Sequence, residues 1–321
     1  MILSMKPPYD ITPKILKLIT SISEKLGEVN ANYLSKQSPQ LRKQNRIKTI
    51  HSSLQIEGNT LTEDQITALI EKKRIIGPKK DVLEVLNAIK VYEKLDEYKF
   101  NSDKCFLKAH LLLMNGLIDS AGKYRTKGVG IVKENKVEHV APPFENVPFL
   151  MKDLFDYLND SEEITLIKSC VFHYEMEFIH PFLDGNGRMG RLWQTLILMN
   201  DYPIFEFLPF ETLISQTQDE YYKSLSLSDK NGKSTFFIEY MLDVINKSLE
   251  NLLSYNNRIL KDIDRLEYFI KLGAKEFTRK DYMNTFKDLS SATASRDLKK
   301  GIDLQLLESV GNLNKTKYII K

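Results

Sequence analysis

The chain has 321 residues, 42% of them hydrophobic and 28% charged, with a net charge of only +3. That length exceeds the usual single domain and holds enough apolar residues for a sizeable core, so a main domain with a smaller companion is expected. The composition excludes a membrane-spanning chain and a disulfide-framed scaffold, and the near-balance of charge leaves nucleic acid undecided.

The start, Met1 to Pro8, lacks a charged region followed by a long apolar core, so a cytoplasmic protein with no membrane association is expected. Ile15, Leu16, Leu18, Ile19 and Ile22 predict a first helix; Ile47, Ile50 and Leu54 predict a second, beyond the polar stretch Ser35 to Pro39. The second helix ends against the rules. Ser53-Leu54-Gln55-Ile56-Glu57-Gly58 puts a glycine where the C′ residue belongs, but an anion in the last turn, against the negative end of the macrodipole. Taken alone, Glu57 is an ordinary solvated carboxylate, yet a residue that breaks a local rule is also a functional candidate. Thr62-Glu63-Asp64-Gln65 then reads as a capping box, which makes Gly58 and Asn59 a corner between helices.

Residues 81–97 (Val82, Leu83, Leu86, Ile89, Tyr92) and 103–114 (Phe106, Leu107, Ala109, His110, Leu111, Met114) continue as core helices, with His110 read as a core histidine. Cys105 and Cys170 lie in such apolar patterns, as buried free thiols in a reducing compartment would. After Gly122-Lys123-Tyr124-Arg125 come two β-prone runs, from Val129 and to Val140, around a polar turn, followed by Pro142-Pro143. A lone hairpin is marginal unless it packs on something or pairs with a partner. Ile164, Ile167, Val171, Tyr174 and Phe178 predict an amphipathic helix.

That helix leads into His180-Pro-Phe-Leu-Asp-Gly-Asn-Gly-Arg-Met-Gly-Arg191, a base, a carboxylate, three glycines, an amide and two guanidiniums in one turn. Gly185, Gly187 and Gly190 match the dinucleotide fingerprint, but that motif needs a preceding strand and a helix precedes here. A phosphate site is the better reading. The glycines let backbone amides approach an anion, a helix opening at Gly187 would aim its free amides there, and Arg188 and Arg191 could clamp one polyphosphate. Asp184 suits Mg²⁺, Asn186 can donate to a phosphate oxygen, and His180 can accept a proton. The plainer alternative is a glycine turn between two helices, with Asp184 or Asn186 as N-cap and both arginines solvated.

The run resembles the signature of the Fic family, H-P-F-x-[DE]-G-N-[GK]-R-x-x-R, at every specified position. The resemblance implies a mainly α fold, a Fic-type helical bundle with a small β-hairpin flap, and transfer of AMP from ATP to a Ser, Thr or Tyr hydroxyl of a target protein. It implies His180 as general base, Asp184 as the Mg²⁺ ligand, the turn Gly185-Asn186-Gly187 around the α-phosphate, Arg188 and Arg191 on the β- and γ-phosphates, and Phe182 as a core anchor. Ser53-x-x-x-Glu57-Gly58 resembles the family's inhibitory motif [ST]-x-x-x-E-[GN], so Glu57 would take Arg191 from the γ-phosphate and the resting protein would be autoinhibited. The hairpin resembles the flap, docking a target strand around residues 128–140, with His139 a structural residue of it. Tyr222, of the pair Tyr221-Tyr222, resembles an adenine-pocket residue and otherwise reads as a core aromatic; Asp229 stands where some relatives have asparagine.

Leu192, Trp193, Leu196 and Ile197 carry the helix on to Asn200-Asp201-Tyr202-Pro203. From about residue 260 the charge changes sign: residues 261–321 carry +4 and the rest −1. Phe277 to Tyr282 reads as a helix start, Ser290 to Lys300 as a second helix, and Leu304–Leu307, Val310-Gly311-Asn312 and Lys317–Ile320 as a closing hairpin. This resembles a winged helix that docks DNA, through Arg296, Lys299 and Lys300, or a protein. The expected organisation is 1–100, a helical region with the inhibitory helix; 101–255, the Fic core; and 260–321, the winged helix. Rival activities stay open: removal of AMP with Glu57 positioning water, phosphate transfer as in relatives with lysine at the place of Gly187, or a nucleotide-sensing DNA-binding regulator without transferase activity. A homodimer is compatible with all of them.

Overall fold

The computed structural model describes residues 7–32, 39–133, 136–160, 162–257, 262–271, 275–286, 289–311 and 316–320, with the backbone alone over 30–32, 39–40, 130–133, 136–140, 160, 254–257, 262–264 and 271. They form two compact units, one ending at Asn251 and one beginning at Leu252. The region expected to end at residue 100 is therefore part of the same body as the core.

The first unit is helical apart from one hairpin. It contains α1 (Pro13–Asn32), α2 (Pro39–Ile56), α3 (Glu63–Ile70), α4 (Lys79–Tyr92), α5 (Asp103–Leu113), β1 (Gly130–Lys133), β2 (Lys136–Val140), α6 (Val147–Asp160), α7 (Thr165–Ile179), α8 (Asn186–Asp201), α9 (Glu211–Gln216), α10 (Gln218–Asn231) and α11 (Thr235–Asn257) as far as Asn251. α7 and α8 form its centre. On α7, Leu166, Ile167, Cys170, Val171, Phe172, His173, Tyr174, Met176 and Ile179 are all buried, so the helix is covered on every side rather than amphipathic. Ile164, counted above in its apolar stripe, is exposed at the N-cap. Phe106 of α5 fits between Phe155, Phe172, Phe182 and Trp193 at ring separations of 4.9–6.2 Å, and these edge and stacked contacts tie α5 and α6 to the central pair.

α1 buries Ile15, Leu18, Ile22, Leu26 and Val29 and leaves Leu16 exposed, one stripe rather than the wider face expected. α2 ends in a Schellman turn. Asn59 N–H donates to Leu54 O (3.1 Å), Gly58 N–H to Gln55 O (2.9 Å), and Gly58 has φ +87°, as a C′ glycine should. The expected capping box closes α3: Thr62 Oγ1 accepts from Gln65 N–H, and the Gln65 side chain accepts from Thr62 N–H. Cys170 is buried and Cys105 only partly so; both thiols are free.

β1 and β2 pair antiparallel with a register shift that skips Glu138, a bulge in the hairpin. The tip of the expected turn and the side chain of His139 lie outside the described residues. α6, α9 and α11 escaped the reading of the sequence.

The second unit holds α12 (Asp262–Lys271), β3 (Glu276–Thr278), α13 (Arg279–Thr285), α14 (Ser291–Asp303), β4 (Leu307–Val310) and β5 (Lys317–Ile320), with an antiparallel sheet in the order β3-β5-β4. β3 replaces part of the helix start expected at Phe277. Leu304–Leu306 form a turn, with Gln305 at φ 59°, so β4 starts at Leu307. Leu266, Phe269, Phe277, Tyr282, Ala294, Leu298 and Leu307 make a separate core. Buried Asp297, expected only as one polar residue of α14, accepts two bonds from Arg265 (2.6 and 2.9 Å) and one from Tyr282 (3.1 Å). Among the described residues no helix is long and apolar enough to cross a membrane.

Candidate active site

The loop between α7 and α8 is built by long-range hydrogen bonds. α7 stops at His180 because Pro181 has no N–H and disfavours helical backbone in the residue before it. His180 takes the left-handed conformation, φ 51° and ψ 59°, with its N–H on Met176 O. A side chain there costs about 1 kcal/mol and persists only where the surroundings hold it. Arg125 does the holding: Nε donates to His180 O (2.8 Å), Nη2 to Ile179 O (3.2 Å) and Pro142 O (2.5 Å), and Nη1 to Lys127 O (3.1 Å). Its own N–H donates to Pro181 O (2.9 Å). Burial lowers the pKa of this guanidinium from its ordinary value.

The remaining loop is fixed from inside. Phe182 is fully buried, stacked on His110 at 3.5 Å and on Phe106 at 5.4 Å, the anchor that was expected. Asn186 Oδ1 accepts from Phe182 N–H (2.9 Å) and its Nδ2 donates to Phe182 O (3.0 Å). The Asn186 amide, expected to donate to phosphate, instead closes the loop. Gly122 N–H donates to His110 Nδ1 (2.9 Å), so the ring proton lies on Nε2 and bonds Asp184 O (3.0 Å). Burial pushes His110 down to about 4, which keeps it neutral. The core histidine is thus also a prop for the loop.

Gly185, at φ +88°, is the N-cap of α8, and a Cβ there would sit 2.8 Å from Met114 Sδ. The helix opens at Asn186, one residue before the expected Gly187, so the free amides of its first turn belong to residues 186–188. Gly187 lies where the helix end meets Glu57: a Cβ on it would run into the Glu57 carboxylate. Gly190 answers a different need. It lies a turn inside α8, where a Cβ would come within 2.6 Å of His173, so its smallness lets α7 and α8 approach and its amide is not at the helix end.

Arg191 is 0% exposed. Its Nε donates to Ser53 Oγ (3.0 Å), Nη2 to Ser53 O (2.9 Å) and to Glu57 Oε1 (2.7 Å), so both residues of the expected inhibitory motif converge on the second signature arginine. Burial, the largest single influence, would lower its pKa; Glu57, with Tyr221 and Glu177, together outweigh burial and raise it. Arg191 Nη1, 3.0 Å from the place of a Cβ on Gly187, is a buried donor with no acceptor among the described residues. The Glu57 side chain is 27% exposed.

Arg188 turns elsewhere. It is buried and pairs with Asp184 Oδ1 (2.8 Å) and with Glu84 Oε1 of α4 (3.3 Å), so the two arginines, expected on one polyphosphate, have separate partners here. The Asp184 side chain is 44% exposed and its hydrogen bonds run through Oδ1. One accessible carboxylate beside a helix N-terminus fits Mg²⁺, which keeps several waters and shares the phosphates of its substrate. No cluster of three or more His, Cys, Asp or Glu suited to a metal occurs among the described residues. Tyr222 is 37% exposed and acted on by the charges of Glu57 and Arg191, whereas Tyr221 is buried, with its hydroxyl 3.1 Å from His173 Nε2. Asp229 accepts from Tyr174 Oη (2.9 Å).

Arg125 and Glu84 were not singled out from the sequence, and no local signal marks them: each acts on residues more than fifty positions away. Residues 102–198 match the Fic/DOC family. Protein adenylyltransferase fic-1 of Caenorhabditis elegans is 29% identical over 241 residues, 70% of this chain and 44% of that protein. Protein adenylyltransferase Fic of Nematostella vectensis is 27% identical over 264 residues, 75% of this chain and 58% of that protein. The chain thus spans about half the length of these curated relatives. Among solved structures, a Fic family protein from Desulfovibrio desulfuricans G20 is 40% identical, with a TM-score of 0.76 and 98% of each chain covered.

Proposed function

The chain belongs to the Fic family, and from that membership and the geometry of the His180 loop we propose that it transfers AMP from ATP to a Ser, Thr or Tyr hydroxyl of a target protein, with Glu57 holding the resting protein inactive. One observation carries the reading: the buried Arg191 Nη1 lacks an acceptor among the described residues beside the N-terminus of α8, while the acid that Arg191 does hold lies over Gly187. A buried donor without a partner, next to free helix amides, calls for an anion. Glu57 supplies a negative charge where a phosphate of ATP would go, and ATP entering beside it would be held out of line.

With Glu57 displaced, the hydroxyl oxygen attacks the α-phosphorus and the bond from that phosphorus to the oxygen bridging the β-phosphate breaks. Pyrophosphate leaves, and the hydroxyl proton passes to the His180 imidazole. The amides of residues 186–188 and the Arg191 guanidinium stabilise charge on the phosphates, and Arg125 keeps His180 in place. Asp184 would hold Mg²⁺, which when bound neutralises phosphate charge. The paired strands β1 and β2 support target docking by strand addition. In the second unit, the order α12-β3-α13-α14-β4-β5 and the exposed Arg296 and Lys299 of α14 support a winged helix that contacts DNA or protein.

The test incubates wild type, Glu57→Gly and Glu57→Gly/His180→Ala with α-³²P-labelled ATP, Mg²⁺ and host lysate. Expected are faint labelling, strong labelling and none. No gain in Glu57→Gly would overturn the inhibitory role, and equal labelling by the double variant would overturn the assigned base.

A further inference from the structure

Glu84 lies outside both the signature and the inhibitory motif, yet it bonds to Arg188 of the one and to Asn59, the residue that follows the other. It is buried on α4, with Oε1 3.3 Å from Arg188 Nη1 and Oε2 accepting from Asn59 Nδ2 at 2.8 Å. Asn59 is the second residue after Glu57 and is itself buried. Its Nδ2 also donates to Asp81 O (3.1 Å), its Oδ1 accepts from Leu61 N–H (3.1 Å), and its N–H closes the Schellman turn of α2. Arg188 continues the line to Asp184 Oδ1 at 2.8 Å. A contiguous chain therefore runs Asn59–Glu84–Arg188–Asp184, from the corner that aims Glu57 to the loop that follows His180.

We propose that Glu84 is a positioning residue that couples the inhibitory corner to Arg188, so that displacing Glu57 and readying Arg188 and Asp184 are one event. This rests on the reading of Glu57 as the gate. A buried carboxylate needs donors. While the corner is closed, Glu84 divides between the Asn59 amide and Arg188, and its contact to Arg188 is the longer of that guanidinium's two ion pairs. When the corner leaves and takes the Asn59 amide with it, Glu84 has Arg188 as its buried partner and closes on it, drawing the guanidinium from Asp184 Oδ1. Lys80, 3.8 Å from Glu84 Oε1 and largely exposed, is too solvated to replace Asn59. Because coupling is reciprocal, a ligand that claims Arg188 also loosens the corner.

The experiment is hydrogen exchange by mass spectrometry on nucleotide-free wild type, Asn59→Ala, Glu84→Gln and the double variant, read over residues 182–190. Among the described residues the Asn59 side chain bonds to Glu84, Asp81 and Leu61 and to no residue of that segment, and the double variant separates the route through Glu84 from the one through Glu57. The result expected is that Asn59→Ala speeds exchange over 182–190 by about threefold to tenfold, and that in the Glu84→Gln background Asn59→Ala changes it no further. Unchanged exchange in Asn59→Ala would overturn the proposal, even if Glu84→Gln failed to fold. So would an equal effect of Asn59→Ala with and without the Glu84 carboxylate. The same four proteins carrying Glu57→Gly are assayed for transfer, where the gain from Glu57→Gly should fall by about tenfold when Glu84 is glutamine. Absence of any gain from Glu57→Gly would instead count against the inhibitory reading and leave the exchange result to judge the relay.

Discussion

The loop from His180 to Gly187 and the corner from Glu57 to Leu61 meet at Arg191, and they are held in opposite ways. The loop rests on buried groups: Arg125 on three of the carbonyls around it, the Asn186 amide on both polar groups of Phe182, and neutral His110 under Asp184. The corner has one buried amide, Asn59, and one buried apolar residue, Leu61, and its other polar contacts are accessible, with Glu57 partly exposed and Thr60 bonded to Asp81 at the surface. Hydrogen bonds out of water are stronger and costly to break, while exposed ones exchange readily with solvent. The first arrangement suits a site that must not move, and the second suits a part that must.

The largest expected effect breaks the loop. Arg125→Ala leaves several carbonyls without donors and His180 without support, so stability should drop by about 4 kcal/mol in urea unfolding and transfer by more than about 100-fold. Arg125→Lys should fail to rescue, since one ammonium cannot reach carbonyls on separate segments. Little change in either measurement would show that the loop is not held from Arg125.

Next is acid. His110 titrates at about 4 in the folded chain against 6.5 ordinarily, and His173 at about 3, each lowered first by burial. A depressed histidine contributes stability that is complete above about pH 6.5 and lost as pH falls through that window, about 3 kcal/mol for His110 alone. Unfolding midpoints from pH 7.5 to 4 should fall accordingly, and the fall should shrink in His110→Gln. A flat profile would mean that the ring is not held neutral.

The corner should respond more mildly. Glu57→Gly leaves the Arg191 guanidinium with Ser53 alone, at about 2 kcal/mol in the absence of nucleotide, less than a fully buried pair because Glu57 is partly in water. ATP with Mg²⁺ should restore the melting temperature of this variant more than that of wild type. Smallest is Thr60→Val, which removes the exposed hydroxyl bond to Asp81 and keeps the one from the Thr60 N–H; together they hold that carboxyl below its ordinary value. It should cost less than about 1 kcal/mol. A larger loss would mean that the corner is as rigid as the loop.

What could be read in the sequence follows the same division. The ends of elements were legible because their chemistry is local: Gly58 as a C′ residue, Thr62 with Gln65 as a capping box, and the glycine-rich turn after His180. The roles of Arg125, His110 and Glu84 were not, since each depends on partners brought near only by the packing of α4, α5, α7 and α8. Asn186 shows the limit within the motif itself. Its type was compatible with phosphate or with a loop closure, and the position of Phe182 decides for closure. β3 was missed because its three residues gain their ladder from β5, some forty positions away.

The central claim is that Glu57 contests the tail phosphates of ATP at Arg191. It is tested most directly by calorimetry on His180→Ala and Glu57→Gly/His180→Ala, which should bind without turnover, titrated with Mg²⁺-ATP and separately with AMP. Removing Glu57 should tighten ATP by about tenfold or more and leave AMP within about twofold, because AMP has no phosphate that reaches the contested guanidinium. Equal affinities for ATP in the two proteins, or the same gain for AMP, would contradict it.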